Sequence, residues 1–292
     1  MASLFPDFSR SKLQGWIKDG NALLDGRSVS NRHKVFGGEQ VALHALLEMD
    51  NTCEAQDLPL EIVHEDDDVL IVNKPSGLVA HPAAGHSDGT LQNALLFHLP
   101  SLAALPRAGL VHRIDKDTTG LLMVAKTLKA HKSLVEQLQE RSIHREYLAL
   151  VHGFITGGGT LDDPIGRHPS DRKRFAVRPD GKPSITHYRI ERRFQAHTLL
   201  RVKLETGRTH QIRVHLAHIH HPLVGDPVYG GRMRVPAGAS PRVIDALQGF
   251  RRQALHAEAL GLQHPSTGEW LEWQATVPAD MAALLEILND AA

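Results

Sequence analysis

The run Gly109-Leu110-Val111-His112-Arg113-Ile114-Asp115-Lys116-Asp117-Thr118-Thr119-Gly120 sets a carboxylate beside an arginine and a histidine in a stretch that reads as a loop. The apolar run Leu121 to Ala125 follows at once and has strand length, so Asp115 is expected at the edge of a rigid element. A carboxylate placed in this way serves as a nucleophile or as a base. The neighbouring Arg113 and Lys116 supply the opposite charge that favours its ionised form. Two other readings of the loop fail on spacing. A calcium loop requires a bidentate glutamate at its twelfth position, and Lys126 stands there. An Asp-x-Asp-x-Thr phosphate-transfer motif requires an apolar strand before the first aspartate, and His112-Arg113 interrupts it. A plain turn, with Asp117 and the two threonines capping backbone amides, remains open from the local sequence.

A second segment bears on the choice. Glu205-Thr206-Gly207-Arg208-Thr209-His210-Gln211-Ile212-Arg213-Val214-His215-Leu216 is accompanied by Asn73-Lys74-Pro75-Ser76-Gly77, His81-Pro82, Arg145-Glu146-Tyr147 and His221-Pro222-Leu223-Val224-Gly225-Asp226. These motifs, in this order and over nearly the whole chain, resemble the RluA-type pseudouridine synthases. The resemblance implies an enzyme that breaks the N1–C1′ bond of a uridine in RNA, turns the base and rejoins it through C5. That reaction oxidises nothing and loses no group, so neither a cofactor nor a metal is expected.

By motif matching, Asp115 is the reacting carboxylate, attacking ribose or base or removing the 2′ proton. Arg213 is its basic partner, expected to hold it by two parallel bonds. Tyr147 is the aromatic that packs on the target base and helps to remove the C5 proton. The base must leave its stack to be reached, and Arg113 matches the side chain that fills the vacated place. Leu255, in Gln253-Ala254-Leu255-His256-Ala257, matches an apolar contact closing the pocket. His112, Thr119, Arg208, His210 and Lys74 are matched to substrate contacts. The implied substrate is large-subunit (23S) ribosomal RNA, in the helix 69 stem-loop, modified by a monomer.

The elements that must position these residues are strands and helices in irregular alternation. Val69 to Val72 reads as a strand ending in the Lys74-Pro75-Ser76-Gly77 turn. Thr90 to Leu99 reads as an amphipathic helix with Leu91, Ala94, Leu95 and His98 on its inner stripe. Leu128 to Arg141 reads as a second helix, and Ile143 to Val151, Ser184 to Glu191 and Leu199 to Glu205 as strands. No dinucleotide or P-loop glycine pattern occurs, which points to an α+β fold around an antiparallel sheet. The resemblance implies the pseudouridine-synthase fold, with a bent, mixed and mainly antiparallel sheet and a cleft across its middle.

The chain changes character near Asp50. Residues Ser9 to Gly20 predict a helix with Leu13, Trp16 and Ile17 on one face, followed by a small β-element over Ala22 to Leu24 and Glu39 to Leu43. The resemblance implies a shortened S4-like RNA-binding module in residues 1–50, a linker over 51–58 and a catalytic domain over 59–292. Arg167, Arg172, Lys173, Arg174, Arg178 and Lys182 form a basic insertion suited to an RNA stem.

Composition narrows the class. Thirty-three basic and thirty-three acidic residues cancel, but a local basic face is all that phosphate binding needs. One cysteine excludes a disulfide framework and any multi-cysteine zinc site, and fits a reducing compartment. With no membrane-length apolar run and no signal-peptide pattern, cytoplasm is expected. His210, His215, His218, His220 and His221 crowd one segment, yet no His-Glu-x-x-His pattern makes them a metal hydrolase. A non-catalytic RNA-binding factor is the other alternative, and it would tolerate replacement of Asp115.

Overall fold

The computed structural model describes residues 4–5, 10–44, 53–82, 88–171, 173–231, 235 and 238–291. Arg172 of the basic insertion and most of the residues around the expected boundary, 45–52, lie outside them.

Near the N-terminus, helix α1 (Arg10–Lys18) buries Leu13 and Trp16. Strands β1 (Ala22–Leu24), β2 (Arg27–Ser28) and β3 (Val41–Leu43) form a three-stranded antiparallel sheet in the order β2-β1-β3. Asp25 and Gly26 take left-handed backbone at the β1–β2 turn, where the sequence places an Asp-Gly pair.

The larger part is built on one nine-stranded sheet. Its strands are β4 (Ile62–Glu65), β5 (Val69–Lys74), β6 (Thr119–Ala125), β7 (His144–His152), β8 (Gly159–Asp162), β11 (Ile185–Arg193), β12 (His197–Leu204), β13 (Leu255–Gln263) and β14 (Trp270–Gln274). A separate hairpin pairs β9 (Ile165–Arg167) with β10 (Phe175–Val177). The sheet order is β4-β5-β6-β13-β7-β12-β11-β8, with β14 added to β13. All pairings are antiparallel except β6 with β13, whose register sets Thr119 against His256 and Gly120 against Ala257. Gly120 has φ +110°, and a Cβ there would lie 2.2 Å from the Ala257 carbonyl oxygen, so the close approach requires glycine.

Strand β6 is buried at all seven positions, and β5 over Val69 to Val72, as continuous apolar runs predict for strands covered on both faces. One cover is helix α3 (Leu128–Gln139), whose Ala130 and Leu134 join Ile71, Met123 and Leu260 in one cluster. Another is α2 (Leu91–His98), which packs Leu91 and Leu95 with Leu70, Leu122 and Val124. Burying each such side chain contributes roughly 1.5–3 kcal/mol. Helices α4 (Gln211–His218), α5 (Pro241–Gly249) and α6 (Ala279–Asp290) complete the domain.

Two details differ from expectation. His98 is exposed rather than on the inner stripe, because its ring bonds Glu65 Oε2 at 2.9 Å at the edge of the sheet. The second helix stops at Gln139, since Arg141 turns left-handed at φ 61° and lets Ser142 N donate to Gln137 O. The one-parallel, otherwise antiparallel sheet matches the α+β expectation. Among the described residues no helix is long and apolar enough to cross a membrane.

Candidate active site

The loop before β6 is gripped through its backbone. Lys74, at the end of β5, is 1% exposed and donates from Nζ to the carbonyls of Pro75 (2.7 Å), Leu78 (2.8 Å) and Lys116 (2.7 Å). Gly77 N also donates to the Lys116 carbonyl, and Arg252 Nη1 to that of Asp117. Thr118 N closes the turn on Asp115 O, while the Thr118 hydroxyl accepts from Gln253 Nε2 at 3.0 Å. The residue type at position 74 follows from this: three carbonyls converge on one point, and an ammonium has three donors to satisfy them. Burial pulls the Lys74 pKa down, against the pull of Asp117 and Asp115.

Opposite this loop, α4 begins with His210 in left-handed conformation, φ 58°. Gln211 fixes the helix start to β11, donating from Nε2 to Ile185 O and Thr186 Oγ1 and accepting from Thr206 Oγ1 and Arg208 N. Arg213 thus stands in the first turn, 5% exposed, and points its guanidinium at the loop. Its Nη1 donates to Asp115 Oδ2 at 2.8 Å, joining residues 98 apart in sequence.

The expected two-bond hold on Asp115 is not what forms. The fork of Arg213 is taken by Asp226: Nε donates to Oδ2 at 2.7 Å and Nη2 to Oδ1 at 2.9 Å. Asp226 has no exposed side-chain surface and also accepts from Val228 N and Tyr229 N. Nη1 alone is left for Asp115. Burial opposes the Arg213 charge, but the bonds to Asp226 and the charge of Asp115 outweigh it and raise its pKa. For Asp226, burial pushes upward, the Arg213 bond pushes downward, and the net shift is down. Asp226, Arg213 and Asp115 therefore form a charged row with two carboxylates on one guanidinium. Tyr229 covers it, with its ring centre 5.1 Å from the Arg213 guanidinium carbon.

Asp115 Oδ1 accepts no hydrogen bond among the described residues, and His210 Nε2 lies 3.9 Å from it. The Tyr229 hydroxyl accepts from Phe175 N and so has its proton free for His210 Nδ1 at 2.8 Å. That arrangement leaves the proton of a neutral ring on Nε2, facing Asp115. Burial lowers the His210 pKa, which agrees with a neutral ring.

Tyr147, 6% exposed, rises from β7 into the same pocket, and Leu255 from β13 lines it. Burial raises the Tyr147 pKa, opposed by Arg145 and aided by Asp115. Arg113 and Arg208 are exposed at the mouth. The pocket thus gathers Asp115, Arg213, Tyr147, Arg113, Arg208, His210 and Leu255 of the expected set. Lys74 and Thr119 are elsewhere: Lys74 holds the loop from beneath, and the Thr119 hydroxyl bonds His256 Nδ1 at 3.0 Å inside the sheet. His112 accepts from Met123 N at 3.0 Å and lines an adjoining cavity instead. The threonines bond side chains of the β13 region, so the plain capping turn does not describe this loop.

Sequence reasoning missed Asp226, Tyr229 and Arg145. Arg145 precedes Tyr147 by two on β7, and alternation along a strand puts both on one face, a signal legible from the motif itself. Of the basic insertion, Arg167 lies on β9, Lys173 and Arg174 just before β10, and Arg178 and Lys182 after it; Arg178 pairs with Asp180, and Arg174 lies over Tyr229, 5.4 Å from guanidinium carbon to ring centre. Three of the crowded histidines have protein partners: His210 meets the Tyr229 hydroxyl, His215 meets Thr186 Oγ1 and Asp163 O, and His221 meets His152 O. Among the described residues no group of three or more His, Cys, Asp or Glu is arranged to hold a metal.

Comparison with known proteins supplies the context for this arrangement. A sequence model of the family described as RNA pseudouridylate synthase matches residues 68–218. The chain is 56% identical over 290 residues to ribosomal large subunit pseudouridine synthase D of Escherichia coli K12, covering 99% of this chain and 89% of that protein. It is 57% identical over 288 residues to the protein of the same name from Pseudomonas aeruginosa, covering 99% and 90%. Among solved structures, human RNA pseudouridylate synthase domain containing 4 superposes with a TM-score of 0.62 at 24% identity, covering 78% of this chain and 93% of that one. Human RNA pseudouridylate synthase domain containing 1 gives 0.58 at 26%, covering 80% and 96%.

Proposed function

The chain belongs to the RNA pseudouridylate synthase family, and from that premise we propose that it converts uridines of large-subunit ribosomal RNA, in the stem-loop of helix 69, with Asp115 as the reacting carboxylate. The observation that carries the mechanism is the division of Arg213: two donors on Asp226 and one on Asp115 Oδ2. A guanidinium anchored in this way fixes Asp115 in place while its Oδ1, without a hydrogen bond among the described residues, is available to attack C1′ or the base, or to take the 2′ proton.

The isomerisation breaks N1–C1′, forms C5–C1′, and returns a proton to N1 for the one lost from C5. No oxidation state changes. Tyr147 enters as a neutral phenol, since burial raises its pKa, and so serves first as a surface for the base. Removing the C5 proton through Tyr147 requires the phenol to pass its own proton on. In this reading the target base leaves its stack to enter the pocket, and Arg113, exposed at the mouth, fills the gap with its flat guanidinium.

The names of the relatives support a ribosomal RNA substrate, and the basic mouth supports an RNA one. The test is to map pseudouridines in ribosomal RNA from cells lacking this protein and from the same cells given back the wild type or Asp115→Asn. Loss of helix 69 pseudouridines, restored by the wild type only and persisting in EDTA with purified protein, is the expected result. Unchanged helix 69 sites would reject the substrate, and restoration by Asp115→Asn would reject the mechanism.

A further inference from the structure

Arg145 is held unlike the other buried arginines. It is 6% exposed, yet among the described residues no carboxylate pairs with it. Its Nη2 donates to the Glu205 carbonyl at 3.2 Å, and its Nε is buried with no hydrogen-bond partner. Arg252, similarly buried, is held by both oxygens of Asp280 at 2.6 and 2.8 Å. Burial lowers the Arg145 pKa. A buried charge without a counter-charge is costly in the free protein, and its retention asks for an anion that arrives from outside.

The position of Arg145 says where. It stands in the wall between the catalytic pocket and an adjoining cavity of about 540 Å³ that shares Arg113, Gly207 and Arg208 with it. That size falls within the range of about 300–1,000 Å³ typical of small-molecule sites. Arg107 and Arg141 also line it, and its carboxylate, Glu205, is already engaged by Arg141 (2.8 Å) and His187 (2.7 Å). Arg107 and Ala108 both have left-handed backbone, φ 52° and 50°, ahead of Gly109 at 78°. Consecutive non-glycine residues in that region are strained, and here the strained bend carries an arginine on the cavity wall.

The geometry points to a phosphate site: the cavity takes the phosphodiester group adjoining the target uridine, bound by Arg145 from the shared wall and by Arg107 from the strained bend. The inference rests on the RNA reading above and adds to it a second place of contact, one nucleotide away from the chemistry. Arg145 acts here as a binding group, and the anion it binds supplies the counter-charge missing from the free protein.

The experiment measures affinity for a helix 69 stem-loop in which the phosphate on either side of the target uridine is replaced, one at a time, by a neutral methylphosphonate. It uses the wild type, Arg145→Met and Arg107→Gly; glycine keeps the left-handed backbone at position 107. The neutral linkage on one side is expected to cost the wild type roughly five- to tenfold in affinity near 0.1 M salt, as for the removal of one phosphate–cation pair. Arg145→Met should lose a similar factor on unmodified RNA and nothing more on that modified RNA. Arg107→Gly should show a smaller loss that is likewise not additive. In the absence of RNA, Arg145→Met should melt no lower than the wild type, because an unpaired buried charge has been exchanged for an apolar chain. Fully additive losses on both linkages, or a lowered melting temperature with unchanged RNA affinity, would overturn the site. Absence of turnover on this RNA would instead count against the substrate reading, and the binding cycle would still decide the phosphate site, since it needs only an RNA that binds.

Discussion

Two buried arginines line the candidate pocket, one from a helix and one from a strand, and they are held in opposite ways. Arg213 on α4 sits between Asp226 and Asp115, with each of its outward nitrogens bonded and its pKa raised. Arg145 on β7 has, among the described residues, one carbonyl partner, a bare Nε and a lowered pKa. Both side chains are about equally hidden from water, so burial does not explain the difference. The first is complete before substrate arrives and holds Asp115, the proposed reacting group, in a fixed place. The second is incomplete, and binding an anion is what completes it. Preorganisation for a reaction and readiness for a ligand thus leave opposite marks on the same side-chain type.

That contrast breaks first at the chemistry. Asp115→Asn removes the carboxylate Arg213 serves, and turnover should fall to background while RNA affinity stays within a few-fold, checked by single-turnover assay and by titration with labelled RNA. Asp226→Asn comes next, because it takes one charge from a buried pair. It should cost about 3–5 kcal/mol of stability, read by denaturant melts, and should slow saturated turnover about a hundredfold as Arg213 loses its anchor. Arg213→Lys keeps the charge without the fork, and single-turnover rates at saturating RNA should show most of the same loss of turnover. If Lys at 213 works at the wild-type rate, the fixed-row account is wrong.

On the other side of the comparison the effects are smaller. Gly207 lies against the Arg145 side chain, and a Cβ there would come within 2.9 Å of Nη1. Gly207→Ala should therefore push that guanidinium aside and weaken RNA binding a few-fold, with the melting temperature nearly unchanged because a flexible side-chain end can move. The N-terminal element should matter least to the chemistry. Starting the chain near Leu58 should leave saturating single-turnover rates intact and flatten the salt dependence of binding by about 0.7 to 0.9 in log–log slope for each phosphate that residues 1–50 had neutralised. An unchanged slope would mean that residues 1–50 do not grip RNA.

Much of this is legible in the sequence, for definite reasons. Apolar runs such as Val69 to Val72 and Leu121 to Met123 mark buried strands, and the Gly-bounded loop before Leu121 marks a position for Asp115. Position on a motif is legible as well, but the direction of a side chain is not. Lys74 and Thr119 lie in matched segments, yet one faces three carbonyls and the other a histidine 137 residues away. The hold on Arg213 differs from expectation because its stronger partner, Asp226, lies beyond the end of α4 and becomes adjacent only when Leu223 and Val224 pack back against the sheet. For Arg145 the two-residue offset from Tyr147 gives the face, but nothing local gives the absence of a carboxylate beside it.

The parallel junction between β6 and β13 has a consequence for the chain's synthesis. Strand β6, which follows the Asp115 loop, pairs with β5 as soon as it is made but gains its second neighbour only when His256 and Ala257 are present. A ribosome releasing this chain must add 137 further residues after position 119 before that seam can close. At about 5–20 residues per second, this takes roughly 7 to 27 s. Throughout that interval the nascent polypeptide holds the Asp115 loop from the β5 side alone, through Lys74 and Gly77, and for most of it the chain still lacks Arg213 as well as Arg252 and Gln253.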